Sequence, residues 1–298
     1  MAFSGMLLVS TDSLITRAVD ADGWSVVFWL GLLTMPTMAV YLVIQEGRDL
    51  DIDALARQTG VVPLLGSGVL QAASTLLFIL AVKQTSIANV VVIVAAAPVL
   101  AALCATIFLG ERSSPKLWAA IFVSLVGIVV VVSGSFGGGG LLGDLLAVGA
   151  ILGFALNLTV WRRYPDMSRT LAVGIAGFVM VIVAIAPAQV SGYGARTYLL
   201  LVLLGAVAGP LARVMLASST RYLPVATVSL FTPVETVAAS VWAWLAFDER
   251  PIATTWIGGA IVLAAVLYGT VFANDANADV VGAAAAEGAA AGAVEEGS

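Results

Sequence analysis

Runs of about twenty mostly apolar residues follow one another from residue 3 to residue 272, and little chain is left between them. A helix needs about 20 such residues to cross the hydrocarbon core of a bilayer. Ten runs meet that length: about 3–19, 24–44, 61–82, 86–109, 114–134, 141–161, 169–188, 197–218, 224–247 and 252–272. Inside lipid every backbone N–H and C=O must be paired within the spanning element, and a helix does this unaided. Composition agrees with that solution. The chain is 61% hydrophobic and 10% charged, with mean hydropathy +1.06, against roughly 25% charged residues in soluble domains. The expected fold is an all-α integral membrane protein of ten transmembrane helices. The segment 45–60, with Glu46, Arg48, Asp49, Asp51, Asp53 and Arg57, is expected to be the one sizeable loop.

The runs also repeat. Residues 219–261 fall on residues 81–123 without a gap at an offset of 138. Ala226 then meets Ala88, Val228 meets Val90, Val237 meets Val99, Ala239 meets Ala101 and Ala243 meets Ala105. The polar end matches best: Glu249-Arg250 falls on Glu111-Arg112, and Trp256 falls on Trp118. Apolar coincidences are cheap in such a chain, whereas a Glu-Arg pair followed at one distance by Trp is not. The expected organisation is a first five-helix unit at 1–136, a glycine joint at 137–140, a second unit at 141–273 and a disordered Ala/Gly/Glu-rich tail at 274–298. Four glycines in a row have little conformational preference and suit a joint. With an odd number of spans per unit, the second must cross the bilayer in the opposite sense. Inverted repeats of this kind are a mark of secondary transporters, whose substrate site lies near the midplane around a central cavity.

Charge sets the expected orientation. With the N-terminus inside, Arg48, Arg57, Arg112, Lys116, Arg162, Arg163, Arg169 and Arg221 fall on the cytoplasmic face, and only Arg17, Lys83, Arg196 and Arg250 on the other. Lys and Arg concentrate on the cytoplasmic side, so both termini are expected inside the cell. The first run is expected to be a retained span, because it lacks a basic leading region and Asp12 interrupts it before any cleavage site. Several chemistries are excluded. There is no Gly-x-x-x-x-Gly-Lys-Ser/Thr, so the glycine run cradles no phosphate. No histidine and the single Cys104 leave no zinc ligand set and no internal disulfide. No cofactor, metal or nucleic-acid partner is expected. The partners are the lipid bilayer and a small-molecule substrate, and the chain is expected to act as a monomer.

A transporter needs polar groups within its spans, and the candidates are few. Asp12 lies about nine residues into the first run with Ser10, Thr11, Ser13 and Thr16 around it. A carboxylate at depth costs a few kcal/mol on insertion scales, so it either faces a wet cavity or sits close to the headgroups. Asn157 precedes Arg162 by five residues, as Asp12 precedes Arg17, which makes Asn157 its candidate counterpart. Ser67, Gln71, Ser74 and Thr75 fall at spacings of three and four on one helix face. Such a stripe either lines a pore or cements a helix contact. Glu235 is the other deep carboxylate, two residues after Pro233, and Pro98 lies at similar depth in the fourth run. Proline frees a carbonyl and kinks a helix, so both runs are expected to be broken there. Arg213 either pairs with Glu235 or snorkels to the surface. Trp24, Trp118, Trp161 and Trp256 sit near run ends as interface anchors, while Trp242 and Trp244 lie deeper. Glu111-Arg112 and Glu249-Arg250, with Pro115 and Pro251 close behind, serve as helix-junction ion pairs.

The segments PVLAALCATIFLGER at 98–112 and VETVAASVWAWLAFDER at 234–250 resemble the helix ends of the EamA repeat of the drug/metabolite transporter superfamily. The resemblance covers about residues 3–272. It implies a ten-helix basket with inverted pseudo-two-fold symmetry, lined by helices one, three, four, six, eight and nine. It also implies export of amino acids, aromatic ones included, or of related metabolites across a bacterial inner membrane; multidrug and nucleotide-sugar carriers are the alternative within that fold. Glu235 keeps the family's acid in the ninth helix, but Pro233 precedes it where the family commonly has Glu-Pro. Asp12 stands where tryptophan-rich sequence is usual.

Overall fold

A computed structural model describes residues 2–46, 51–110, 115–135, 140–209, 232–248 and 251–268. Among them there is no strand. The helices in chain order are α1 (Ala2–Ala18), α2 (Gly23–Glu46), α3 (Ile52–Thr59), α4 (Val61–Gln84), α5 (Ile87–Ala95), α6 (Ala97–Leu109), α7 (Pro115–Ser133), α8 (Leu141–Arg163), α9 (Arg169–Ala184) and α10 (Ala195–Val202). A π-helical turn at Leu203–Ala208 prolongs α10, and α11 (Thr232–Phe247) and α12 (Ala253–Tyr268) complete the order. Three helices are individually long and apolar enough to cross a membrane: Gly23–Gln45, Val61–Gln84 and Leu141–Arg163. A fourth such span is the bent pair α5 and α6.

Local sequence explains the ends. Asp22 caps α2, its Oδ1 accepting from the N–H groups of Trp24 at 2.9 Å and Ser25 at 3.1 Å. Ser86 caps α5 through the Asn89 N–H, and Ser168 caps α9 through that of Leu171, as short hydroxyl side chains do at this position. Gly110 closes α6 in the left-handed region at φ 67°, where a residue without Cβ is unstrained.

The expected kink in the fourth run is present. Its two pieces meet at Ala96 with a bend of 42°, and Pro98 opens the second piece. Having no N–H, Pro98 cannot return a bond to the Val94 carbonyl. The expected loop at 45–60 is corrected in part: Ile52–Thr59 is helical, nucleated by Asp51, whose Oδ1 accepts from the Ala54 N–H at 2.9 Å.

Helix pairing follows a regular scheme. α4 lies along α8, α2 along α9, α6 and α5 against α8, and α1 and α5 against α11. One apolar cluster joins α4, α5, α6, α7, α8, α11 and α12 through residues such as Val90, Ile93, Val131, Ile151, Ala239 and Val262. A second joins α1, α2, α4, α9, α10 and the π turn through Val26, Val27, Ile79, Met180, Leu201 and Leu204. α4 takes part in both clusters, and α8 lies along it; this α4–α8 seam carries a run of buried polar residues, Ser67, Gln71, Ser74, Thr75 and Asn157 among them.

A polar relay and a buried carboxylate in the bundle

Four of the residues singled out above meet in one chain of hydrogen bonds. Ser67 Oγ donates to Asn157 Oδ1 at 2.7 Å, and Asn157 Nδ2 donates to Gln71 Oε1 at 3.0 Å. Gln71 Nε2 continues to Thr75 Oγ1 at 3.2 Å. Trp161 Nε1 donates to Ser67 Oγ at 2.8 Å, so this ring, expected as a plain interface anchor, belongs to the relay as well. Its other face is covered by the Arg169 guanidinium at 5.4 Å. Ser74 donates to the Ala150 carbonyl at 2.8 Å. Ser67 and Asn157 are wholly buried, and Gln71 and Thr75 nearly so.

The stripe of the third run therefore faces α8, and its amides and hydroxyls bond across the helix pair. Beside the relay lies an open, apolar fissure of about 240 Å³, lined by Leu70, Phe108, Leu156, Val160, Arg163 and Tyr164 among others. Leu70 and Leu156 are the chain neighbours of Gln71 and Asn157, so fissure and relay share the same stretch of the seam.

The remaining candidates are placed as follows. Asp12 is half-buried on α1, between the buried Ser10 and Ser13. Pro98 is in the first turn of α6, and Glu235 in the first four residues of the helix Thr232–Phe247. Arg213, Glu111-Arg112, Glu249-Arg250, Gly137 to Gly139 and the tail 274–298 lie outside the described residues. Trp118, Trp242, Trp244 and Trp256 are exposed. Among the described residues no cluster of three His, Cys, Asp or Glu side chains could hold a metal.

Sequence reasoning missed Asp144. It lies in the first turn of α8 with 0% exposure and accepts from three side chains. Ser135 Oγ is at 2.6 Å, Thr85 Oγ1 at 2.7 Å, and Asn89 Nδ2 at 3.2 and 3.1 Å from its two oxygens. Asn89 Oδ1 in turn accepts from Thr255 Oγ1 at 2.5 Å. A buried carboxylate needs such partners, and the α8 N-terminus adds a favourable dipole. The backbone at this end is braced too: Arg17 Nη1 donates to the carbonyls of Val82 at 2.6 Å and Thr85 at 3.4 Å. Lys83 Nζ donates to the Val19 carbonyl at 2.6 Å.

The model of the EamA-like transporter family matches the chain twice, at residues 1–133 and 141–270. No curated protein sequence matches significantly. A solved crystal structure, described only as that of a protein, superposes with a TM-score of 0.61 over 91% of this chain and 96% of its own. It is 18% identical, so the likeness is one of fold.

Proposed function

The chain belongs to the EamA-like transporter family, a family of multi-pass membrane transporters of small metabolites, and from that premise we propose that it exports amino acids or related metabolites. The observation that carries the substrate class is the chemistry of the seam. Among the described residues its mid-span groups are amides and hydroxyls, Ser67, Gln71, Thr75 and Asn157, while Arg17, Lys83, Arg162 and Arg163 sit in last helical turns. Neutral donors and acceptors suit a small zwitterion. A phosphate-bearing substrate would call for a cluster of cations at depth.

Alternating access between two inverted halves is the mechanism this reading takes. Helix pairing supports it. Moving five runs along the chain turns the first run into the sixth and the fourth into the ninth. The contact of α1 with α11 then becomes that of α8 with α5 and α6, and both contacts are present. In this scheme Asp12 and Glu235 are the candidate substrate or coupling groups, joined by Arg213, and both termini lie in the cytoplasm of a bacterial cell. No catalytic step is assigned.

The test is counterflow in proteoliposomes with a panel of labelled amino acids. Saturable exchange of aromatic amino acids, threonine or methionine is the expected result. No exchange by correctly inserted protein, with exchange of nucleotide sugars or lipophilic cations instead, would overturn the substrate class.

A further inference from the structure

Resting on the reading that two related halves move against each other, we propose that Asp144 and its donors form a latch that holds one end of the bundle shut at rest. The end concerned is where α4 stops, α8 starts and α12 begins. Asp144 and Thr255 come from the second half of the chain; Thr85, Asn89 and Ser135 come from the first. Every side-chain bond that Asp144 accepts in this knot therefore crosses from one half to the other, the one from Ser135 over only nine residues of chain. Opening that end must expose or strip a carboxylate that has 0% exposure when closed.

The sequence does not supply these groups a second time for the opposite end. At the repeat offset of 138, Asn89 corresponds to Thr227, Thr85 to Leu223, Ser135 to Ala273 and Thr255 to Leu117. The start of the first helix, Met1 to Thr11, holds no carboxylate to stand for Asp144. Two ends that a duplication would have made alike thus differ in sequence by the acid and most of its donors. The conformation with the Asp144 end closed gains bonds for which the repeated sequence offers its mirror conformation no matching acid. A two-state equilibrium shifts by the differential interaction free energy of its states, so the latch sets which state predominates without substrate. Arg17 strengthens it from outside, because its bonds to Val82 and Thr85 fix the turn that presents the Thr85 hydroxyl.

The test reads conformation separately from flux. In a Cys104→Ser background, spin labels at Gln84 and Ala253, both exposed at this end, report the distance across the latch in proteoliposomes. The parent protein should give one short distance. Asp144→Ala removes an acceptor of charge-assisted hydrogen bonds, and should raise the ratio of long to short distances about ten-fold or more. Thr255→Val, which leaves the carboxylate in place, should raise it less and serves if Asp144→Ala does not fold. An unchanged distribution in folded variants overturns the latch, whatever the transport assay shows. A shifted distribution in a protein that moves no small metabolite supports the latch and overturns the transport reading instead.

Discussion

Gly127 on α7 and Gly258 on α12 lie back to back: a Cβ built on Gly258 would stand 2.6 Å from the Gly127 carbonyl oxygen, and one on Gly127 3.0 Å from that of Gly258. Gly31 on α2 and Gly177 on α9 repeat the relationship, at 2.6 and 3.0 Å. α7 and α12 cover the fifth and tenth apolar runs, and α2 and α9 the second and seventh. Each of these helices is thus packed against its own counterpart in the other half of the chain. Small residues let membrane helices approach closely, where dispersion and backbone contacts replace the missing hydrophobic drive.

That closeness leaves no room for a methyl group. Gly258→Ala and Gly31→Ala should each destabilise the detergent-solubilised protein by about 1–3 kcal/mol, the cost of overpacking against an unyielding backbone. Gly66 on α4 is the control, because a Cβ there meets nothing within 4 Å. Gly66→Ala should be neutral or stabilise by about 0.5–1 kcal/mol through its better helix propensity. Thermal unfolding midpoints of the three variants decide the matter, and equal shifts would remove the packing argument.

The relay should behave as one unit. Ser67→Ala removes a donor to Asn157 and the acceptor of Trp161; Asn157→Ala removes the partner of both Ser67 and Gln71. In membranes such interhelical bonds average about 0.6 kcal/mol each in double-mutant cycles. The double variant is therefore expected to lose less stability than the two single losses added, by about 0.5–1 kcal/mol. Strict additivity in thermal unfolding would mean that the two side chains do not share a bond.

Arg17 and Lys83 exchange caps between α1 and α4, each side chain reaching the carbonyl end of the other's helix. Arg17→Met should cost about 1 kcal/mol, lower than a buried charged bond because the pair is only part-buried. Arg17→Lys should not restore the loss, since an ammonium on a shorter stem falls short of the point from which Nη1 reaches both carbonyls. A melting temperature restored by lysine would show that charge alone matters here.

How far these features are legible without coordinates depends on their range along the chain. Helix positions and the break at Pro98 follow from apolar run length and from proline's missing N–H, both local properties. The stripe Ser67, Gln71 and Thr75 is visible by spacing, and so is Asn157 as a polar residue in an apolar run. That they meet is not visible, because 90 residues separate Ser67 from Asn157. Asp144 escapes for another reason. An acid in the first turn of a helix after a glycine run reads as an exposed residue favoured by the helix dipole. Its donors at Thr85 and Asn89 lie 59 and 55 residues away. The helix Ile52–Thr59 was within reach, since Asp51 followed by Ile-Asp-Ala-Leu is a capped helix start.

The proposed transport assigns its polar groups to two carboxylates, and this can be tested directly. Asp12 is half-buried among hydroxyls on α1, and Glu235 lies near the described start of α11, the helix on which α1 packs. Carboxylates carried into a bilayer are expensive and mark substrate or proton paths. Asp12→Asn and Glu235→Gln keep side-chain volume, so insertion and the melting temperature should stay near the parent values. Counterflow of the substrate should fall about ten-fold or more, the loss of one hydrogen bond to a charged group. If a proton is coupled through Asp12, efflux by the parent protein should respond to an imposed pH gradient and efflux by Asp12→Asn should not. Parent-level flux in both variants would move the site to the α4–α8 seam, to Gln71 and Asn157.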